Sequence, residues 1–197
     1  MKKMKKNIIL LLFTCISLNS FSQEEALVQK NKNKDSLNIV KEASPTIVSE
    51  NDKITTYYLI NSPEKKAVTG TQKDPSLTSQ GFKRSEKWAK VLGSVKLDAA
   101  YAINTMCAKQ AAQTISESQK IKTYGLDSSN LYDVSFKYNT KGNNVLIVAD
   151  NVTTIKLANL VLGKEKFLLV ENNKNFGRLY ILTVNENSKT STVLTID

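Results

Sequence analysis

The sequence contains no histidine, so no imidazole can serve as a nucleophile or as a base. Ser62 lacks the glycine-flanked turn of a hydrolase serine, and there is no imidazole to accept its proton. Cys107 is not followed by the arginine that a cysteine phosphatase uses to hold phosphate. Asp150 follows an apolar run, as an aspartyl-phosphate nucleophile would, but Val152 stands where a second acid is expected. We therefore predict structural roles for these three residues: a turn serine, a small apolar filler near a helix start, and a loop or N-cap aspartate.

Other kinds of site are equally weakly supported by the sequence. No set of cysteine, aspartate and glutamate residues has the spacing of metal ligands, and no glycine-rich phosphate loop is present. The net charge of +10 is not concentrated in long basic runs with interleaved aromatic residues. The sequence therefore predicts no metal, no cofactor and no nucleic-acid partner.

The N-terminus has the features of a secretory signal. Four lysines within the first six residues precede a mostly apolar run at 8–18, and Ser20 and Ser22 occupy the −3 and −1 positions before Gln23. The run is too short for a transmembrane span, which needs about 20 residues. Cys15 is a weak candidate for lipidation, because the Phe-Thr at residues 13–14 does not match the small residues that usually precede a lipidated cysteine. We expect an exported protein, periplasmic or extracellular, with residues 1–22 removed and no transmembrane span. Its net charge would then fall from +10 to +6, and Cys107 would be its single cysteine, so no intramolecular disulfide could form.

Beyond the signal, residues 23–52 are polar and predict a flexible lead, with a short helix near 35–42. From residue 53 onward, apolar runs alternate with helical patterns. We predict strands at 54–60, 99–103, 121–124, 145–149, 178–184 and 191–196. We predict helices at 78–92 with Thr78 as N-cap and Gly93 as C-cap, at 108–118, at 134–138, and from Thr153 or Thr154 to 162 with Gly163 as the stop.

Strands alternating with helices predict an α/β domain with a mostly parallel central sheet flanked by helices in three layers. The last two strands predict an antiparallel C-terminal pair. Ligands of such sheets bind beyond the carboxyl ends of the strands. The loops that begin at Asn61, Asn104 and Asp150 are therefore the candidate site.

Four segments in this order resemble the histidine phosphatase superfamily, the phosphoglycerate mutase-like fold, and in particular its small exported members. The strand ending at Ile60 precedes Asn-Ser-Pro-Glu-Lys, where the family has Arg-His-x-Glu-Lys. Residues 74–81, Asp-Pro-Ser-Leu-Thr-Ser-Gln-Gly, match the family's Asp-Pro-x-Leu-Thr-x-x-Gly fully, and Trp-Ala at 88–89 follows. Residues 107–112 are Cys-Ala-Lys-Gln-Ala-Ala, where the family has Arg-Thr-x-Gln-Thr-Ala. Residues 149–153 are Ala-Asp-Asn-Val-Thr, where the family has Gly-His-Ser-Asn-Thr. The resemblance covers residues 53–197.

The positions at which the resemblance implies chemistry are the ones that differ. It places Ser62 at the nucleophilic histidine, Asn61 and Cys107 at the two phosphate-binding arginines, and Asp150 at the second histidine. Asp133 is a loose candidate for the family's extra acidic residue. A serine without a base is a weak nucleophile, and neither an amide nor a thiol replaces a bidentate guanidinium. A carboxylate about 4 Å from an anionic substrate would cost about 4 kcal/mol before screening.

We therefore expect a catalytically inactive pseudo-phosphatase that binds an unknown small ligand or protein partner. Two alternatives stay open at this point: a weak phosphohydrolase with a different nucleophile, and a non-enzymatic envelope protein whose cleft has no function. Lys65, with Lys66 and Lys109, could still hold an anion, although a structural contact or a solvated pair is the favoured interpretation of Glu64 and Lys65. The candidate pocket residues are Asn61, Ser62, Glu64, Lys65, Cys107, Lys109, Asp150 and Asn151.

Overall fold

The computed structural model describes residues 53–68, 70, 73–170 and 175–196. The predicted signal peptide at 1–22, the polar lead at 23–52 and its short helix at 35–42 lie outside these residues. The strands are β1 (Thr55–Asn61), β2 (Ala99–Ile103), β3 (Thr123–Leu126), β4 (Asn144–Ala149), β5 (Arg178–Val184) and β6 (Lys189–Thr195). The helices are α1 (Ser79–Val91), α2 (Met106–Gln119), α3 (Val134–Thr140) and α4 (Asn151–Leu162).

One mixed sheet joins the six strands in the order β3-β2-β4-β1-β5-β6. The first four strands in this order are parallel, while β5 pairs antiparallel with β1 and β6 pairs antiparallel with β5. Strands β2, β4 and β1 are therefore adjacent and point the same way, so their carboxyl ends meet at one edge of the sheet. The α/β class, the parallel core and the antiparallel C-terminal strands agree with the sequence prediction.

The core is built on β4, whose residues Val145 to Ala149 are all fully buried. A continuous apolar run is what a central parallel strand needs, because both of its faces are covered. Across the ladder, Leu59 of β1 stands opposite Ile147, and both side chains are completely buried. Trp88 of α1 is also fully buried, and its indole Nε1 donates to the Phe176 carbonyl at 3.2 Å.

Several predicted helix boundaries differ from the observed ones, and two of these differences have a local cause. Helix α1 ends at Val91 and is followed by a tight 3₁₀ turn at Leu92–Ser94, so Gly93 is not a left-handed C-cap. Helix α4 begins at Asn151, two residues before the earlier of its two predicted starts, because the extended residue Asp150 caps it. At the other end, Gly163 has a φ of +69° and terminates α4 as predicted.

Shifts of similar size affect other elements. Helix α2 begins at Met106, two residues before the predicted start, and ends at Gln119, where Lys120 adopts a φ of +56°. The predicted strand at 121–124 lies at Thr123–Leu126, two residues later. The last strand is shifted toward the N-terminus, to Lys189–Thr195. None of these shifts changes the order of elements.

Candidate functional site

A cleft of about 270 Å³ lies where the carboxyl ends of β1, β2 and β4 meet. The loops after these strands supply most of its wall, as the doubly wound arrangement predicts. Six of the eight candidate pocket residues line it: Asn61, Ser62, Lys65, Cys107, Asp150 and Asn151. Segments that are far apart in the sequence therefore come together as expected.

The other two candidates do not line this cleft. The Glu64 carboxylate receives hydrogen bonds of 2.7–3.0 Å from Nε and Nη2 of Arg84 on α1. Lys109 donates from Nζ to Asn104 Oδ1 at 2.5 Å and lies beside a separate surface depression. Glu64 thus makes a structural contact, but with an arginine that the sequence did not indicate.

Asn61 ends β1 and is only 3% exposed. Its Nδ2 donates to Asn151 Oδ1 and to the Asn175 carbonyl, both at 3.3 Å. Its Oδ1 is buried and has no hydrogen-bond partner among the described residues. The position thus offers two weak internal hydrogen bonds and a neutral acceptor, where the resemblance implies a permanently charged donor.

Ser62 is held against the end of β4 by two bonds. Its backbone N–H donates to the Ala149 carbonyl at 2.7 Å, and its hydroxyl donates to the same carbonyl at 3.1 Å. The hydroxyl proton is therefore engaged with the backbone, and no side chain that could act as a base is bonded to Oγ. This agrees with a turn serine and not with an activated nucleophile.

Asp150 is the N-cap of α4, one of the two roles predicted for it. Its Oδ1 accepts the Thr153 backbone N–H at 2.8 Å, and its Oδ2 accepts the Thr153 hydroxyl at 3.2 Å. The first turn of a helix has unpaired N–H groups, and a carboxylate satisfies one of them while matching the helix dipole. Both carboxylate oxygens of Asp150 therefore accept hydrogen bonds from Thr153.

Cys107 lies in the first turn of α2, is 6% exposed and forms no disulfide. Its Sγ lies 3.6 Å from Thr105 Oγ1. Lys109, two positions further along α2, is bonded to Asn104. The surroundings fit a small apolar filler at a helix start.

Seven lining residues were not among the sequence candidates: Pro63, Lys73, Asp74, Pro75, Ile103, Thr105 and Phe176. Both carboxylate oxygens of Asp74 accept the Met106 backbone N–H, at 3.0 and 2.9 Å, so Asp74 caps α2 from 32 residues away. Asp74 opens the fully matched motif, which could have drawn attention to it. Phe176 carries no sequence signal, because only the fold brings it to the cleft.

Asp133 lies away from this cleft. It is the N-cap of α3, where its Oδ1 accepts the Phe136 backbone N–H at 2.6 Å, and it borders a different cavity of about 200 Å³ with Tyr101 and Asn130. The loose suggestion that it is the extra acidic residue of the family therefore has no geometric support.

The described part of the chain carries no sign of a metal site or of a membrane-spanning helix. It holds no group of three or more cysteine, aspartate or glutamate side chains placed to bind a metal ion. None of its helices has the length and apolar character needed to cross a membrane.

Comparison with known proteins identifies the fold. No family model and no curated protein matches the sequence. Solved structures do match, among them YhfR from Bacillus stearothermophilus, with a TM-score of 0.59, 18% identity and coverage of 73% of this chain and 98% of that protein. The protein histidine phosphatase SixA complexed with tungstate matches with a TM-score of 0.57, 12% identity and coverage of 71% and 96%. The alpha-ribazole phosphatase from Shigella flexneri matches with a TM-score of 0.53, 13% identity and coverage of 72% and 96%.

These likenesses show that the chain has the histidine phosphatase, phosphoglycerate mutase-like fold. The fold inferred from four short segments is thus confirmed. At these identities the likeness extends to the fold alone, so the role of the cleft has to be argued from its own side chains.

Proposed function

We propose that this domain is a pseudo-phosphatase, exported from the cell, whose cleft binds a small ligand without transferring a phosphoryl group. The observation that carries the proposal is the state of Ser62, which stands at the position implied for the nucleophile. Its hydroxyl donates to the Ala149 carbonyl, and the chain contains no imidazole. Phosphoryl transfer through such a group would need a base that this arrangement does not supply.

Charge at the cleft wall supports the same conclusion. Two lysines, Lys65 and Lys73, are balanced there by two aspartates, Asp74 and Asp150. Phosphoryl-transfer sites instead concentrate positive charge on the transferred group. A balanced wall gives a dianionic substrate little net attraction.

The first experiment measures hydrolysis of an aryl phosphate, p-nitrophenyl phosphate, by the purified chain from residue 23 onward. We expect no turnover above that of a Ser62→Ala, Asp150→Ala double variant whose folding has been checked by urea denaturation. Turnover clearly above this variant would favour the alternative of a weak phosphohydrolase with a different nucleophile.

The second experiment restores the residues that the resemblance implies: Asn61→Arg, Ser62→His, Cys107→Arg and Asp150→His together. Because the structure of SixA, which has this fold, is a complex with tungstate, tungstate is the probe. We expect no change in melting temperature of the wild-type chain with tungstate, and a rise that grows with the logarithm of tungstate concentration in the restored variant. A folded variant whose melting temperature does not change with tungstate would contradict the assignment of these four positions.

Export is tested separately. We expect the mature chain, recovered from the periplasm or the medium, to begin at Gln23 by intact mass, because the lysine-rich start and the apolar run precede that residue. A mass that includes a diacylglycerol on Cys15 would identify a lipoprotein instead. An uncleaved chain in the cytoplasm would overturn the export proposal.

Two alternatives to a small-molecule ligand remain: the cleft binds a protein partner, or it has no function. A wall that combines apolar side chains (Pro63, Pro75, Ile103 and Phe176) with a few polar groups is typical of small-molecule sites. A thermal-shift screen with small molecules separates these cases, because a small molecule raises the melting temperature only if it binds the folded chain.

A further inference from the structure

The segment that follows α4 is held against that helix by one side chain. Asn159 Oδ1 accepts the backbone N–H groups of Lys166 and Phe167, at 3.0 and 2.9 Å, and its Nδ2 donates to the Phe167 carbonyl at 2.8 Å. The Phe167 ring packs edge-on against Tyr180 of β5, with the ring centroids 5.0 Å apart. The start of this segment is therefore fixed to the body of the domain.

Beyond Phe167 the chain exposes its apolar side chains. Leu168, Leu169 and Val170 are 72%, 49% and 57% exposed. On α4, Leu160 is 43% exposed and directly follows Asn159, as Leu168 directly follows Phe167, so the bonds of Asn159 bring these two leucines to the same region. Single exposed leucines are ordinary, but a contiguous group of four aliphatic side chains is typical of an interaction surface.

Lysines border this apolar group. An open depression of about 500 Å³ joins Leu160 to Lys156 and Lys164, and both lysines are exposed. Residues 151–170 contain three lysines and a single acid, Glu165. The group is called the basic-apolar surface below and consists of Lys156, Leu160, Lys164, Leu168, Leu169 and Val170.

The charge of the basic-apolar surface distinguishes between partners. A second copy of the chain would bring lysines against lysines, and like charges at a contact oppose association. The head groups of an anionic membrane attract lysines, while the hydrocarbon just below them accepts aliphatic side chains. An anionic lipid surface therefore matches both the charge and the exposed apolar side chains.

We propose that the basic-apolar surface binds an anionic membrane, with Leu168, Leu169 and Val170 entering the head-group region and Lys156 and Lys164 contacting lipid phosphates. This function goes beyond the proposed role of the cleft and does not depend on what the cleft binds.

Co-sedimentation with phospholipid vesicles measures the binding. The protein is the purified chain from residue 23 onward, because the apolar run at 8–18 could itself insert into lipid. We expect it to bind vesicles of equal parts phosphatidylglycerol and phosphatidylcholine, and to bind phosphatidylcholine alone more than about tenfold more weakly. No binding to the anionic vesicles, or equal binding to both kinds, would overturn the proposal.

The apolar part is tested with Leu169→Ser, which should weaken binding to the anionic vesicles about tenfold, because less aliphatic surface leaves water. The control is Leu194→Ser, since Leu194 of β6 is 46% exposed and therefore similar to Leu169. Lys166 Nζ donates to the Ser191 hydroxyl of β6 at 2.7 Å, and side chains alternate along a strand, so Leu194 lies on the opposite face of the sheet. Leu194→Ser should bind like the wild type, and equal weakening by the two variants would contradict the proposal.

The charged part is tested with Lys156→Gln and Lys164→Gln together. Each lysine close to an anionic surface contributes about fivefold to binding, so the double variant should bind more than about tenfold more weakly. The control combines Lys83→Gln and Lys87→Gln, which removes the same charge from exposed positions on α1. If both double variants lost binding equally, net charge and not the basic-apolar surface would be responsible, and the proposal would be wrong.

Two measurements on the wild-type chain need no folded variant. In ¹⁵N–¹H NMR spectra with bicelles of the same lipids and a spin-labelled lipid, the signals of Leu160 and of residues 168–170 should broaden most, and broadening centred elsewhere would overturn the assignment. Analytical ultracentrifugation without lipid should give a monomer. A dimer that Leu169→Ser dissociates would assign the basic-apolar surface to a second copy and refute the membrane proposal.

Discussion

Asp150 Oδ1 accepts the Thr153 backbone N–H at 2.8 Å, so Asp150 caps helix α4 at the position where the resemblance implies a second histidine. We expect Asp150→Ala to lower the free energy of unfolding by about 1 kcal/mol, the usual cost of losing an N-cap. Asp150→Asn is the matched control, because asparagine caps helices nearly as well and removes only the charge. Urea denaturation measures both variants, and an Asp150→Ala variant as stable as the wild type would contradict the capping role.

The ion pair between Glu64 and Arg84 predicts a pH dependence. Partial burial alone would raise the pKa of Glu64, but the hydrogen bonds and charge of Arg84 outweigh it and hold the pKa below its ordinary value of 4.5. A lowered pKa in the folded state means that the ionised carboxylate stabilises the fold above pH 4.5 and that this contribution is lost as the pH falls through the folded pKa.

We therefore expect Glu64→Gln to cost about 1 kcal/mol at pH 7, since the pair is bidentate and only partly exposed. The stability difference from the wild type should shrink as the pH falls below 4.5. Glu186→Gln is the control, because the Glu186–Lys141 pair is longer, at 3.9 Å, and about half exposed. Urea denaturation between pH 3 and pH 7 tests this, and a difference that stays constant over that range would refute the assignment.

The contacts give a structural reason for the residues that match the pattern of the histidine phosphatase superfamily. The Glu64 carbonyl accepts the backbone N–H and the hydroxyl of Thr78, at 2.9 and 3.2 Å. Asp74 caps α2, and the Leu77 backbone N–H donates to Gln110 Oε1 at 2.8 Å. Each of these matched residues joins two elements of the scaffold, so losing one would cost stability whether or not the protein catalyses a reaction.

The order of strands and helices could be predicted from the sequence because apolar runs and turn residues are local signals. The starts of α2 and α4 were harder to predict from the sequence. Helix α2 is capped by Asp74, which is distant in the sequence, and α4 is capped by Asp150, for which a loop role was also predicted. For the site, the positions after β1, β2 and β4 follow from topology alone. Phe176 and the Arg84 partner of Glu64 could not be predicted, because only tertiary packing brings them near.

The glycine of the matched motif has a steric role that a substitution can test. A Cβ at Gly81 would collide with the Glu64 carbonyl oxygen, which is fixed in place by Thr78. We expect Gly81→Ala to lower the free energy of unfolding by about 2 kcal/mol, even though alanine favours helix by about 1 kcal/mol. Gly93→Ala is the control, because nothing lies within 4 Å of an added Cβ there and its φ is not positive. Thermal unfolding of both variants checks this, and equal effects would show that the close approach to Glu64 is unimportant.

Thr154 and Thr140 form a second matched pair, because both are completely buried but only one is hydrogen-bonded. Thr154 Oγ1 has no partner among the described residues, so Thr154→Val should raise the free energy of unfolding by about 1 kcal/mol by removing an unsatisfied hydroxyl at nearly constant shape. Thr140 Oγ1 instead bonds Tyr57 Oη at 2.8 Å and the Phe136 carbonyl at 2.7 Å. Thr140→Val should therefore cost about 1–3 kcal/mol, because it leaves the buried Tyr57 hydroxyl without that partner. Urea denaturation of the two variants should give changes of opposite sign, and destabilisation by Thr154→Val as large as that by Thr140→Val would mean that the Thr154 hydroxyl does have a partner.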